Sequence, residues 1–307
     1  MIKKFFYKDN IINWNQTIRE NFDDYLLFES IYLDYEAEYF NGENESYFLK
    51  HQNEIAVIKI YNSKDKIYFS QIYFSKSRAY NLSILKTLTN QVLSELFFLN
   101  KPKMHLKEYI HSKKSDIHYM NLSHKFILNP VFELWVDLNV DENTLWSFLR
   151  SNYRNLIKRN KKHISIKFPK NFDLVKYQNF HFEISKKKTR SDLTWQYQRK
   201  MFEENKLLVC EAYLRDEFIG FSFFNHTNYI GQYSNSVCDR SHFTEYSVTH
   251  IMIWEALNKL RKKGLKIFYL GFTRNEKINK TKVDYINLFK SGFASKIKKS
   301  WLVEDEH

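Results

Sequence analysis

The sequence predicts an α/β protein made of two tandem units with the same order of elements. Two observations carry this prediction. The second half contains a β-hairpin, a third strand, an amphipathic helix and a further strand, which together describe an α/β unit. The first half repeats that order at an offset of about 164 residues, far longer than the period of a solenoid. The length of 307 residues accommodates one large domain or two small ones.

The second half gives the clearer pattern. Its predicted elements are the strands Leu207–Leu214, Phe218–Phe224, Tyr229–Asn235 and Lys266–Phe272 and the helix Ser247–Lys263. The turn Arg215-Asp216-Glu217 separates the first two strands. Apolar residues recur at intervals of three and four along the helix, and Gly264 follows it as a C-cap.

The first half follows the same plan. Its predicted elements are the strands Tyr47–Lys50, Glu54–Tyr61, Ile67–Phe74 and Lys103–Leu106 and the helix Leu82–Leu99. Glu54 then corresponds to Phe218, and Met104 to Phe268. The order and spacing of elements carry the duplication, since the residues themselves barely match. We therefore expect an N-terminal subdomain at 1–128 and a C-terminal subdomain at 129–307.

Composition and missing motifs exclude several classes of protein. Hydrophobic residues make up 43% of the chain and aromatics 18%, enough for a packed core and too many for a disordered chain. The six glycines form neither G-x-G-x-x-G nor a Walker A loop, which argues against a Rossmann dehydrogenase or a P-loop kinase. The sequence contains no H-E-x-x-H, no metal-spaced histidine cluster and no G-x-S-x-G elbow.

The predicted location is the cytoplasm. No apolar stretch approaches the ~18–20 residues that a membrane span requires. The start has two lysines but no continuing apolar segment, so it does not resemble a secretory signal. The two cysteines form no C-x-x-C pair and no disulfide framework. We expect a soluble protein without stable membrane insertion.

Several segments form a characteristic series along the chain: Phe132–Leu138, Ser151–Arg159, Tyr233–Ser236, Ile253–Leu257, Gly264–Phe272 and Leu288–Phe293, with Trp14 and Phe28–Ser30 near the start. Together they resemble the Fem-type (FemABX-like) branch of the GNAT-fold acyltransferases. Their order and spacing carry the resemblance, which extends over most of the chain. The chain departs from the family at Ala294, where a glycine is expected, and it lacks the helical coiled-coil arm of longer members.

The resemblance implies two tandem GNAT-like (acyl-CoA N-acyltransferase-like) subdomains with a cleft between them, the C-terminal one carrying most of the site. Family members transfer an acyl group, often an amino acid from aminoacyl-tRNA, to an amine on a cell-wall precursor. The implied reaction is amide formation on an amino group of a cell-envelope glycan precursor, either nucleotide-linked or lipid-linked. The donor, aminoacyl-tRNA or acyl-CoA, would be a co-substrate, and no permanently bound cofactor or metal is expected.

The usual acetyl-CoA loop of GNAT enzymes is not evident. Only Arg261–Lys266 comes near its pattern, and this segment fails at Lys266 and ends a helix instead of starting one. Because amides at a helix N-terminus are what bind the pyrophosphate, the absence mildly favours a non-standard donor.

Lys290 is the predicted catalytic residue. It lies between Phe289 and Phe293, in the segment where the family places a catalytic lysine. Attack of an amine on an ester or thioester forms a tetrahedral oxyanion, which a fixed cation stabilises by about 3 kcal/mol or more. Aromatic neighbours would desolvate the ammonium and tune its pKa. Phe289 is expected to contact substrate. The alternative is that Lys290 is an ordinary lysine on a helix surface.

Two arginines are candidate phosphate ligands. One amphipathic helix is predicted over Thr144–Asn160, with cations at its end, where the helix dipole favours them. Arg154 lies beside its apolar stripe and would bind a phosphate bidentately, whereas the remaining cations fit a solvated face equally well. Arg190, in the basic run Lys186–Arg190, matches an arginine that the family places after a threonine.

Polar residues on two strands complete the predicted site. Tyr233 and Asn235 are expected to share one face of their strand, because successive side chains alternate. They would bind an acceptor or, alternatively, satisfy loop backbone. Arg274 follows a strand at its carboxyl end, where ligands of open sheets bind. The polar loop Thr273–Lys280 is long enough to close over a substrate.

A basic nucleic-acid-binding module without catalysis is the alternative function. The chain has 48 Lys and Arg against 35 Asp and Glu, a formal charge of +13. This charge and the Tyr- and Phe-rich strands permit phosphate contacts and base stacking. No RNA-binding signature is present. A tRNA is therefore a possible partner under either interpretation.

Overall fold

The computed structural model describes residues 2–22, 25–52, 54–62, 67–74, 87–88, 91, 103–106, 126–242, 246–274 and 282–305. The chain divides into two compact units. Unit 1 comprises Met1–Val131 and Lys299–His307, and unit 2 comprises Phe132–Lys298. The predicted boundary between the two subdomains, at residues 128 and 129, stays a prediction.

The described elements alternate between strands and helices. Up to residue 106 they are β1 Lys3–Phe6, α1 Ile11–Asn21, α2 Ser30–Tyr39, β2 Glu43–Asn44, β3 Tyr47–His51, β4 Glu54–Asn62, β5 Ile67–Phe74 and β6 Lys103–Leu106. The next are β7 Phe126–Asp137, α3 Glu142–Phe148, α4 Ser151–Asn160, β8 Ile164–Lys167, α5 Leu174–Ser185, α6 Asp192–Glu203 and β9 Leu207–Leu214. The last are β10 Glu217–His226, β11 Ile230–Cys238, α7 Val248–Lys262, β12 Ile267–Arg274, α8 Lys282–Ser291 and β13 Lys296–Asp305.

Both units contain the same arrangement of strands. In unit 1, β3, β4 and β5 pair antiparallel in that order, and β6 then pairs parallel to β5. In unit 2, β9, β10 and β11 pair antiparallel, and β12 then pairs parallel to β11. The predicted tandem α/β organisation is therefore confirmed. Most of the predicted helix Leu82–Leu99 lies outside the described residues.

The core of unit 2 forms between its sheet and α7. Cys210, Ser222 and Phe224 lie on the sheet face that α7 covers, and Cys210 donates a hydrogen bond to the carbonyl of Met252. Ile251, Met252 and their apolar neighbours on α7 are buried, as the periodicity predicts. Gly264, with φ of +91°, follows the helix end, which confirms the predicted glycine C-cap.

The prediction of one helix over Thr144–Asn160 is wrong. The chain is extended at Leu149 and Arg150, so α3 and α4 are separate helices. The N–H of Arg150 donates to the carbonyl of Gly292 at 2.9 Å, and its Nη2 donates to Ser291 Oγ at 3.2 Å. The residues that Arg150 contacts lie more than 140 positions later in the sequence, so the local spacing of apolar residues does not predict these contacts.

Candidate active site

A gap opens between two strands of the unit 2 sheet. β11 and β12 pair over three residue pairs, from Ile230 with Ile267 to Gln232 with Tyr269. Both strands continue beyond these pairs without further mutual pairing among the described residues. At the paired end, a Cβ on Gly231 would lie 2.8 Å from the Phe268 ring, so the close approach requires glycine. We call the gap between residues 233–238 and 270–274 the wedge.

Lys290 places its ammonium beside the wedge. The residue lies in the last turn of α8 and is half-buried. A Cβ on Gly271 would lie only 2.9 Å from Lys290 Nζ, and Gly271 has φ of +109°, so glycine leaves the space that the ammonium occupies. Nζ lies 5.7 Å from the ring centroid of Tyr233. Burial lowers the pKa of Lys290 below its usual value.

The beginning of α4 holds the end of α8 that carries this lysine. Besides the two Arg150 contacts, the Tyr153 hydroxyl donates to the carbonyl of Phe289 at 3.0 Å. The Tyr153 ring fills the space over Gly292, where an added Cβ would lie 2.2 Å from a ring carbon. The sequence did not single out Arg150, Tyr153 or Gly292 as site residues. Gly292, two residues after Lys290, was a sequence signal of this contact, because a glycine there permits a close approach by another side chain.

Tyr233 and Asn235 lie on opposite faces of β11, contrary to the expected shared face. Phe223 pairs with Asn235 and Phe224 with Tyr233, so Ser234 is an extra residue, a β-bulge. Tyr233 packs against Phe224 on the α7 face, with ring centroids 5.9 Å apart. Burial is the largest cause that raises the pKa of Tyr233 to about 12, and a hydrogen bond with Ser236 opposes it.

On the other face, Arg190 and Asn235 meet. With the amide of Asn235 turned so that its oxygen faces the guanidinium, Oδ1 accepts from Nη1 at 3.1 Å and Nη2 at 2.7 Å. The guanidinium carbon lies 5.5 Å from the ring centroid of Trp195. Burial, and then the charge of Arg190, lower the pKa of the neighbouring His181. The structure thus brings together two of the predicted site residues.

The guanidinium of Arg154 lies against backbone carbonyls. Its Nη1 donates to the carbonyls of Ser147 at 3.0 Å and Leu149 at 2.6 Å, which closes the C-terminal end of α3. This structural use was not expected from the sequence, and a phosphate-binding role for Arg154 stays a prediction. Arg274 ends β12, but its side chain lies outside the described part, as do residues 275–280 of the predicted loop.

A pocket of about 320 Å³ lies at the first turn of α7, within the usual size range of ligand sites. Its lining residues are Tyr246, Ser247, Val248, Thr249, His250 and Phe289. Burial lowers the pKa of His250 to about 4, so the imidazole is neutral near pH 7. Its ring contacts those of Tyr153 and Phe289 edge-on, at 4.4 and 4.9 Å between centroids. Phe289 therefore connects this pocket to the helix turn that carries Lys290.

A residue that follows α4 contacts one of the residues that line the pocket. The ring of Tyr246 is 5.7 Å from that of His163, which follows the basic end of α4. Lys158, Arg159 and Lys162 are exposed there, whereas Lys161 pairs with Glu255 at 2.6 Å.

Two further findings concern the described residues alone. They contain no group of three or more His, Cys, Asp or Glu side chains placed to hold a metal ion. None of their helices is both long enough and apolar enough to span a bilayer.

The fold is that of FemX and of tandem GNAT proteins. Neither a protein-family model nor a curated protein matches the sequence. Among solved structures, FemX has a TM-score of 0.66 at 10% identity, over 99% of this chain and 97% of that one. A conserved protein of unknown function from Bacteroides thetaiotaomicron has a TM-score of 0.65 at 10% identity, with both chains fully covered. A tandem GNAT protein from the clavulanic acid biosynthesis pathway has a TM-score of 0.53 at 9% identity, covering 99% and 98% of the two chains.

These similarities confirm the predicted fold class, two GNAT-like subdomains in tandem. At such low sequence identity they establish the fold and leave the reaction to be argued from the residues of the site.

Proposed function

We propose that this protein is an N-acyl or aminoacyl transferase that forms an amide on an amino group of a cell-envelope glycan precursor. The observation that carries the proposal is the placement of Lys290, whose half-buried ammonium lies beside the wedge over Gly271 and near the ring of Tyr233. A cation fixed at the edge of a sheet gap suits stabilisation of a developing oxyanion. The fold shared with FemX and tandem GNAT proteins supports an acyl-transfer reaction.

The proposed reaction is a direct transfer. The amine nitrogen attacks the carbonyl carbon of the activated ester or thioester, and the carbonyl π electrons move to oxygen. Lys290 stabilises that oxyanion while the C–N bond forms. Collapse of the intermediate breaks the bond to the carrier oxygen or sulfur, and the proton released by the amine goes to the leaving group. Tyr233, whose raised pKa keeps it protonated, is available there as a hydrogen-bond donor.

The surface around the pocket supports a polyanionic acyl carrier. Lys158, Arg159 and Lys162 would contact phosphates, and the aromatic pocket beside Tyr246 would take the end of the carrier. Both aminoacyl-tRNA and acyl-CoA fit this description. Arg190, fixed by Asn235 on the opposite sheet face, would bind a phosphate of the acceptor. Arg154 and Arg274 stay candidates for further phosphate contacts.

A substitution at Lys290 tests the catalytic assignment. Lys290→Met should lower kcat about 100-fold, because it removes the cation and keeps an apolar chain of similar length. Lys262→Met, which removes an exposed lysine of α7, is the matched control and should keep full activity. Turnover should also decline as pH rises through the lowered pKa of Lys290, because the ammonium is the active form. Unchanged turnover of Lys290→Met would remove this residue from the mechanism.

The donor is tested by binding. A salt titration with charged tRNA, uncharged tRNA and acyl-CoA measures both the electrostatic and the acyl-specific share of affinity. Preference for the charged acceptor end supports an aminoacyl-tRNA donor, and selective binding of acyl-CoA supports the thioester. Equal, steeply salt-dependent binding of both tRNAs without transfer would favour a non-catalytic nucleic-acid-binding module.

A further inference from the structure

The N-terminal end of the chain exposes an unusual concentration of large apolar side chains. Phe5, Phe6, Ile11 and Ile12 are 40%, 47%, 46% and 79% exposed. All four lie within Lys3–Ile12, which we call the N-terminal edge and which comprises β1, a 3-10 turn and the first residues of α1. Clustered exposed apolar side chains mark an interaction surface more often than isolated ones do.

The fold holds the N-terminal edge in place. Tyr7 is buried, its hydroxyl donates to Asp34 Oδ1 at 2.8 Å, and its N–H donates to the carbonyl of Ser46 at 3.0 Å. Trp14 is buried in the first helix and donates to the carbonyl of Phe28 at 2.7 Å. The exposed side chains lie between or beside these two anchors, so an ordered backbone presents them to solvent.

The N-terminal edge is also cationic. Lys3, Lys8 and Lys50 are exposed, and Lys3 pairs in register with Lys50 on the neighbouring strand β3. Lys8 lies 3.5 Å from Glu43, but both side chains are exposed and such a pair is weak. Asp9 is the single acid within Lys3–Ile12, against three lysines, so positive charge predominates.

One of the cations lies directly against aromatic rings. Lys4 Nζ is 3.8 Å from the ring centroid of Tyr47 and 4.9 Å from that of Phe6. Tyr47 is buried and Phe6 is exposed. An ammonium beside the exposed Phe6 ring suits the boundary between lipid headgroups and acyl chains, where the ring enters the apolar layer and the charge stays with the phosphates.

We propose that the N-terminal edge docks on an anionic phospholipid bilayer. The apolar side chains would enter the headgroup boundary while Lys3, Lys4 and Lys8 contact lipid phosphates. Docking would hold the enzyme peripherally at the surface where lipid-linked precursors lie. The binding itself does not depend on the proposed transfer reaction.

A second copy of the chain is the competing occupant. β1 pairs with β3 on one side, and among the described residues no strand pairs with its other side. Two such edges in contact would bring the lysines of both copies together, and lysines on an edge strand oppose strand addition. The charge therefore favours an anionic bilayer over self-association.

Vesicle sedimentation tests the proposal with the full chain. Binding to phosphatidylglycerol–phosphatidylcholine vesicles should exceed binding to phosphatidylcholine alone by about tenfold, and should weaken as salt is raised. Phe6→Ser/Ile12→Ser should lower the partition coefficient about tenfold. The matched control, Val175→Ser/Phe182→Ser, removes side chains that are 63% and 56% exposed on α5 and should leave binding unchanged.

Charge substitutions give a second, independent set. Lys3→Gln/Lys8→Gln should weaken binding to anionic vesicles and leave the thermal transition in place, since both side chains are exposed. Equal binding of all variants, or no preference for anionic vesicles, would overturn the proposal. So would a concentration-dependent dimer in sedimentation velocity that Phe6→Ser/Ile12→Ser abolishes. Transfer activity is measured separately with a soluble acceptor, so loss of docking and loss of catalysis are distinguishable.

Discussion

The Gly271→Ala variant should move the Lys290 ammonium without removing it, and so tests whether the position of this charge matters for turnover. The added methyl carbon would lie 2.9 Å from Nζ. Ordinary contacts between such atoms lie at about 3.5–4.0 Å, so the ammonium must move by about 1 Å. The move is sterically inexpensive because Nζ ends a flexible side chain. Its catalytic effect is large, since a misplacement of about 1 Å lowers rates on the order of 100-fold.

The same substitution also strains the backbone. Gly271 has φ of +109°, which side chains disfavour, and such strain costs about 1–3 kcal/mol of folding free energy. Gly264→Ala is the matched control, because Gly264 has φ of +91° and an added Cβ there would have nothing within 4 Å. Both variants should therefore lose similar stability, and only Gly271→Ala should lose turnover.

The assay is steady-state transfer, together with urea unfolding of each variant. We expect kcat of Gly271→Ala to fall about 100-fold and that of Gly264→Ala to stay within about twofold. In a Lys290→Met background, Gly271→Ala should cause little further loss, because the group it displaces is gone. Full turnover of Gly271→Ala, or equal losses in both alanine variants, would refute the assigned role of the ammonium.

Two further predictions concern Arg190 and His250. Arg190→Lys removes the fork that bonds Asn235 twice, and we expect KM for a phosphate-bearing acceptor to rise about tenfold with kcat maintained. The control Arg199→Lys, in an exposed ion pair with Glu203, should change neither constant. Because the pKa of His250 is lowered to about 4, the unfolded chain binds more protons, and the free energy of unfolding should fall as pH drops from about 6.5 to about 4. His250→Gln should reduce that slope in urea unfolding measured at several pH values, and an unchanged slope would contradict the assignment.

Most of the strand order was predictable from sequence because its signals are local. The turn between β9 and β10 was predicted at Arg215 and Asp216, and both residues have positive φ, 48° and 69°. Gly264 likewise ends α7 at the predicted point. Alternation, helical spacing and turn residues act over a few positions, so one sequence suffices to recognise them.

The parts of the site that depend on distant contacts were not predictable. The segment Tyr233–Ser236 has no alternation of polar and apolar residues that would indicate an extra residue in the strand. The bulge at Ser234 is fixed by pairing with β10. The helix breaks at Leu149 and Arg150 although the apolar spacing continues on both sides. The break depends on hydrogen bonds between Arg150 and the end of α8, which the local sequence does not indicate. Lys290 was found through resemblance, and its role remains a prediction.

The bulge in β11 has a kinetic consequence. Because the extra residue Ser234 shifts the alternation of side chains in the strand, Tyr233 and Asn235 lie on opposite faces of the sheet. Both residues lie next to the wedge. Two ligands can then approach from opposite directions and meet without exchanging places. For the proposed transfer, such an arrangement suits a ternary complex in which both reactants are present when the new bond forms, without a covalent acyl-protein intermediate.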